Sequence, residues 1–321
     1  TPTSGYVDGN SSVALMGKSY AVAWLDLGYA GFVDTENNAV RVRMLGGEEI
    51  VTVAGAADGS AGDVDGVGSD VRFDSPMGIA ASKDPNNLET FYVADTGNHK
   101  IKKVELIFNS TLGKYDSAEV TTIAGTGQSG GLGPGLYGND TWFTSPEGIH
   151  AVGGGNVYVA DTGNNVIRKL EHNGGTSSNE ADNWDVDLWA GTTLAGCENG
   201  LGSNAKFNSP TDLNYDFTQG FHEAMFVVDS GNHMVRRISN NGSKDVSSFG
   251  GECINNSGVA GYVDGVGSNA RFDSPHGIVI NSITNDIFIT DVNNNVIRKI
   301  DNDTAEVSTY VGSGVQGYLD G

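Results

Sequence analysis

Only two cysteines, seven prolines and six histidines stand among 321 residues. So little cysteine excludes a small disulfide-dense scaffold. Basic residues are scarce too, with 18 Lys and Arg against 40 Asp and Glu and a net charge of -22. Such a surface repels phosphate backbones and removes the electrostatic term that dominates nucleic-acid affinity, so nucleic acid is not expected as a partner. No run of 18 apolar residues occurs, and no membrane insertion is expected from this chain. No long stretch places apolar residues at helical spacing either. The nucleophile motif GxSxG, a phosphate-cradling GxxxxGK[ST] loop and a nucleophilic Cys/His arrangement are all missing.

What the chain has in quantity is glycine, 47 of them, and repetition. The segment YVADTGNNVIRKL from Tyr158 has close copies in FYVADTGNHKIKKV from Phe91, FVVDSGNHMVRRI from Phe226 and FITDVNNNVIRKI from Phe288. A weaker copy, GFVDTENNAVRVRM, begins at Gly31. Each is two short runs rich in β-branched and aromatic residues, joined by an Asp and Asn turn whose side chains bond the local backbone. That pattern predicts a β-hairpin. Upstream stand FDSPMGIA, FTSPEGIH, FNSPTDLN and FDSPHGIV, from Phe73, Phe143, Phe207 and Phe272, and downstream comes a β-rich run ending in Gly. The turn aspartates Asp34, Asp95, Asp161, Asp229 and Asp291 lie 61, 66, 68 and 62 residues apart. A fixed period of four short strands predicts an all-β fold, a β-propeller with one four-stranded blade per repeat.

With these runs, and with DGVGSDVRFDSPMGI from Asp65 and DGVGSNARFDSPHGI from Asp264, the chain resembles the NHL-repeat β-propellers. Four repeats match closely and the first is degenerate, with Leu15 at the Phe position and Lys18 at the Pro position. We expect a single propeller domain over residues 1–321, with blades at about 13–55, 73–125, 143–191, 207–250 and 272–312, and a linker at 313–321 leading to a following blade or subunit. Propellers of the resembled family usually have six blades, so the chain is either a closed five-bladed ring with short overhangs or a segment whose sixth blade or missing strands come from a neighbouring chain. The family includes enzymes, RNA binders, sensors and scaffolds, and fold alone does not choose among them.

The regularity of the five turn aspartates argues for structure, because each blade needs its turn whereas an active site needs one set of residues. Acidic stretches such as DVDGVGSD at 63–70 alternate like a calcium loop, but lack its closing bidentate Glu, and tight glycine linkers explain them without an ion. His99 and His233 occupy the turn, while His150 and His276 fall on the first strands of blades three and five, which line the channel in such propellers. Zinc wants three or four ligands and no third is evident, so we assign no catalytic residue, metal or cofactor.

Six Asn-x-Ser/Thr sequons, at Asn10, Asn109, Asn139, Asn241, Asn255 and Asn302, all fall in expected loops or linkers, where a glycan must be. Cys197 and Cys253 lie in linkers one blade apart, and we expect a disulfide between them rather than two buried thiols, hence an oxidising compartment. The chain opens at Thr1, with no Met and no signal-like segment, which we read as a processed protein or a piece of a longer one. The linker sequence GYVDG stands near the start and GYLDG at the end. Together these features point to a non-enzymatic, extracellular or cell-surface glycoprotein whose partners are copies of itself or other surface proteins, joined head to tail into a fibre or array. The alternative is a metal-dependent lyase or lactonase working in the central channel. A ligand-sensing ectodomain is a third reading.

Overall fold

The computed structural model describes residues 5–10, 12–25, 28–44, 47–83, 89–133, 137–153, 155–216, 223–240 and 242–317. They form five antiparallel sheets of four successive strands each, the blades of an all-β propeller. Blade one comprises Ser19–Leu25, Tyr29–Asp34, Ala39–Met44 and Glu49–Ala54. Blade two comprises Gly78–Lys83, Glu89–Asp95, Lys100–Asn109 and Lys114–Ala124, and blade three Ile149–Val152, Asn156–Asp161, Val166–His172 and Trp184–Ala190. Blade four is Pro210–Asp216, Ala224–Asp229, Met234–Ser239 and Val246–Gly250, and blade five Pro275–Ile280, Ile287–Asp291, Val296–Ile300 and Glu306–Val311.

Two compact units divide the chain, Thr1–Val159 with Lys169–Asp187 and Ala160–Arg168 with Leu188–Gly321. Within the first, Val33, Val40 and Ala54 of blade one pack with Phe73, Ile79, Phe91 and Val93 of blade two. A second cluster joins Tyr92, Ala94 and Ile101 of blade two to Phe143, Ile149, Val157 and Trp184 of blade three. In the second unit, Val228 and Val235 of blade four pack with Phe272, Ile278, Ile287 and Ile289 of blade five. Alternate residues of a strand point to opposite faces, so each middle blade is apolar on both. Burying one such aromatic or branched side chain contributes about 1.5–3 kcal/mol.

The linker ahead of a blade returns as a short fifth strand on that blade's outer edge. Gly9 pairs with Ile50, Gly66 with Val120 and Gly265 with Val307. Those bonds occupy backbone groups that an open sheet edge would leave unpaired.

Two local readings change. Asn109, expected in a loop between strands three and four of blade two, ends a strand instead: Lys114 pairs with Asn109 and Tyr115 with Phe108, so the two strands are a long hairpin closed by a turn. Leu15 does not stand at the Phe position. Its bridge to Val7 matches the bridges Val64 to Arg72 and Val263 to Arg271, which puts Met16 where Phe73 and Phe272 sit.

Candidate functional site

Each turn aspartate is the hub of its blade. Asp229 accepts the Asn208 N–H (2.7 Å) on Oδ1, and the Asn232 amide and Arg236 Nη1 (both 2.8 Å) on Oδ2. Asp291 accepts Asp273 N–H, Asn294 and Arg298, and Asp34 accepts Gly17 N–H, Asn37 and Arg41. Asp95 has the same Asn partner in Asn98 and the Asp74 N–H, but its cation is Lys102. Asp161 pairs with Arg168 at 3.7 Å and with Asn164. The turn then closes through a residue in the left-handed region: Asn38, His99, Asn165, His233 or Asn295.

The same cations hold the linkers. Arg41 reaches Asp8, Arg236 reaches Asn199 and Arg298 reaches Asp264, while Lys102 sits between Asp63 and Asp65. The acidic stretch that resembled a calcium loop therefore already surrounds an ammonium group. The basic residues of the third strands pair mostly within their own blade, not across blades.

A different arrangement surrounds the sheet faces. At the four junctions between successive blades a leading Phe, Phe73, Phe143, Phe207 or Phe272, is fully buried. Two residues on, a serine with positive φ donates its N–H to the turn residue of the preceding blade. These bonds run from Ser75 to Asn38 Oδ1 (2.7 Å), Ser145 to His99 Nδ1 (3.0 Å), Ser209 to Asn165 Oδ1 (2.8 Å) and Ser274 to His233 Nδ1 (3.0 Å).

On blade five the matching positions are more exposed. Val40, Ile101, Ile167 and Val235 are fully buried, yet their counterpart Ile297 is 36 % exposed. Ala54, Ala124 and Ala190 are likewise buried, whereas Val311 is 55 % exposed and its neighbour Tyr310 60 %. A cavity of about 240 Å³ opens there, lined by Thr290, Val292, Asn295, Ile297, Val311 and Gly312. Blade one is uncovered on the opposite face. Val22, paired with Phe32 as Ile79 is with Val93, is 61 % exposed where Ile79 is 5 %, and Trp24 is 57 % exposed. Sequence patterning missed both faces, because Ile297 and Val22 alternate just as their buried counterparts do.

The first strands carry the titratable groups outside this network. Burial holds the His150 imidazole down at about 4 and also lowers His276, so both are neutral at pH 7. Among the described residues no group of three or more His, Cys, Asp or Glu could hold a metal ion. Asp212 replaces the glycine of the SPxG pattern in blade four, and sequence reading passed over it. Its carboxyl accepts Leu213 N–H (2.8 Å) and Ile278 N–H (3.0 Å), and burial pushes it up to about 7. A raised carboxyl favours the fold fully below the unfolded value near 4, and that contribution is lost as pH rises through 7. Asp212→Asn, neutral at every pH, keeps an acceptor for only one of the two N–H groups, so the expected result is a melting temperature that no longer falls between pH 4 and pH 8 as the natural chain's does. Thermal melts of both proteins at the two pH values test this.

Cys197 and Cys253 form a disulfide, Cα–Cα 5.9 Å, within the second unit. Cys253 opens a small hairpin, Cys253–Ile254 with Ser257–Gly258, and the sequon residue Asn255 lies at its exposed tip. Asn10 and Asn139 are exposed, and Asn109 and Asn302 half-buried with their amides on Asp116 and Asp216. Asn10 and Asn109 end strands rather than lying in loops. Asn241 lies outside the described residues.

Five blades of this hairpin pattern make the chain a β-propeller. Its repeats are similar to those of proteins named for the NHL repeat. The human protein named NHL repeat-containing protein 2 is 28% identical over 293 residues, covering 88% of this chain and 38% of the relative. The Gallus gallus protein of the same name is 29% identical over 298 residues with the same coverage, so the chain spans well under half the length of these relatives. No family model matches. Among solved structures, the nidogen/laminin complex aligns with TM-score 0.56 at 14% identity, over 91% of this chain and 79% of that one. A streptogramin B lyase aligns with TM-score 0.50 at 15% identity, over 96% and 87%. At such identities the likeness is one of fold.

Proposed function

We propose that the chain is a non-enzymatic, extracellular or cell-surface structural propeller, N-glycosylated on its sequons, whose copies join head to tail. The observation that carries this reading is the exposure of the apolar Ile297 and Val311 on blade five, at positions the other blades bury. A contact between unlike surfaces that does not close on itself builds a fibre. The Cys197–Cys253 bond supports an oxidising compartment, and the exposure of Asn10, Asn139 and Asn255 supports sugar attachment there.

Electron microscopy of the native material with intact-mass measurement tests the reading. Filaments repeating at one propeller, and masses above 33.5 kDa that fall on deglycosylation, are the expected result. Ile297→Asp, which puts a charge on the open face, is expected to return the filaments to single chains. Separate particles of unmodified mass would overturn the proposal. The competing enzyme reading predicts stoichiometric metal that is lost when His150 and His276 are both replaced by Ala.

A further inference from the structure

We infer that the turns of blades two and four are acid-released latches: protonation of His99 or His233 removes the acceptor that holds the next blade's leading segment, whereas the asparagine turns of blades one and three stay shut. The inference stands apart from the assembly proposed above and concerns each compact unit by itself.

Each latch is a single bond from a strained residue. Ser75, Ser145, Ser209 and Ser274 lie at φ 50, 46, 48 and 50°, in the left-handed region that a residue with a side chain enters only at a cost. What holds each serine there is its N–H bond to Asn38 Oδ1, His99 Nδ1, Asn165 Oδ1 or His233 Nδ1 in turn. The first two bonds lie within the first unit and the last two within the second. Each unit therefore holds one asparagine latch and one histidine latch.

The two kinds of acceptor answer acid differently. An amide oxygen accepts at every pH, but an imidazole nitrogen accepts only while it carries no proton. A ring that takes an N–H on Nδ1 keeps its own proton on Nε2. Adding a second proton sets N–H against N–H, and attraction becomes repulsion. Histidine is the side chain whose charge ordinarily changes between about pH 5 and 8.

The incoming proton meets different groups at the two sites. Asp273 Oδ1 stands 3.5 Å from His233 Nδ1, so protonation there exchanges the Ser274 N–H for a carboxylate. The corresponding residue beside His99 is Thr144, an uncharged hydroxyl that accepts the Gly130 N–H (2.9 Å). The other charges near the turns are matched: Asp95 faces Lys102, Lys100 faces Asp63 (2.6 Å), Asp229 faces Arg236 and Glu252 faces Arg271. Asp74 packs against Gly97 of the His99 turn. His150 and His276 follow the two serines on the next strands. Burial keeps both neutral, so they weaken the fold as pH falls and must be separated from the latches by the test.

Hydrogen exchange of the natural chain, resolved at the four serine amides and corrected for intrinsic rates at pH 8 and pH 5, makes that separation. Ser145 and Ser274 are expected to lose protection about tenfold at pH 5, as one hydrogen bond gives way to an unpaired donor, while Ser75 and Ser209 keep theirs. His99→Asn and His233→Asn install the acceptor of the sibling turns, and each should restore protection at pH 5 at its own junction only. Equal loss at all four serines would assign the acid response to the fold as a whole and overturn the inference. A loss at Ser145 that survives His99→Asn, or at Ser274 that survives His233→Asn, would assign it to His150 or His276 and overturn it too. Protection unchanged at all four serines would show that the latches do not open.

Discussion

Replacing Arg236 with alanine is expected to cost about 3–5 kcal/mol, the usual consequence of leaving one partner of a buried ion pair behind. The guanidinium is fully buried and engages Asp229 Oδ2, the Lys206 and Glu198 carbonyls and Asn199 Oδ1. Its loss strips Asp229 of the guanidinium that pairs with it and frees the linker, so turn and edge fail together. Burial already pushes the Asp229 carboxyl up to about 6. Without Arg236 that carboxyl should rise further, and the variant should regain part of its stability as pH falls below the new value, since a raised carboxyl favours the fold at low pH. Urea unfolding at pH 7 and pH 5 measures both effects. The control is Lys18→Ala, whose pair with Glu36 is largely exposed, where a loss within about 1 kcal/mol is expected. An Arg236→Ala loss no larger than the control's would show that the hub does not hold the blade.

The second large effect belongs to the disulfide. Cys197 and Cys253 are 56 residues apart in sequence, a loop for which the chain-entropy model gives about 4 kcal/mol of stabilisation. Cys253→Ala is expected to lose about 2–4 kcal/mol. Two further contacts moderate the loss, because the small hairpin is also anchored by Cys197 N–H on Asn256 Oδ1 (2.9 Å) and by Gly258 packed on the Asn232 backbone. Melting with and without reductant checks it: the natural chain should shift on reduction and the variant should not. Equal melting of the two oxidised proteins would refute the estimate's premise that the bridge restrains the unfolded chain.

The blades were legible in the sequence because their local chemistry is self-contained. An Asp, an Asn three residues on and a cation seven residues on close each turn, and those spacings survive in every repeat. Met16 was misplaced because an apolar Leu15 was taken for the Phe counterpart, although the linkers beginning at Gly5 and Gly261 run the same length to Met16 and Phe272. The bridge to Val7 and the Gly17 N–H on Asp34 settle the register. Asp212 was passed over because a lone carboxylate in place of glycine reads as divergence until its two backbone N–H partners are seen. The open faces were illegible for a deeper reason. Whether Ile297 is buried depends on what lies against it, and a strand's own pattern does not record its neighbour.

The returning linker strands also bear on how the chain is made. Gly66 leaves the ribosome long before its partner Val120, and Gly265 before Val307. Blades one, two and five must therefore wait, the first-made strand of each unpaired, until the last is synthesised. Folding proceeds as a series of delayed closures, one for each of these blades, and a nascent chain halted midway through one of them would carry an open β-edge ready to pair with any neighbour.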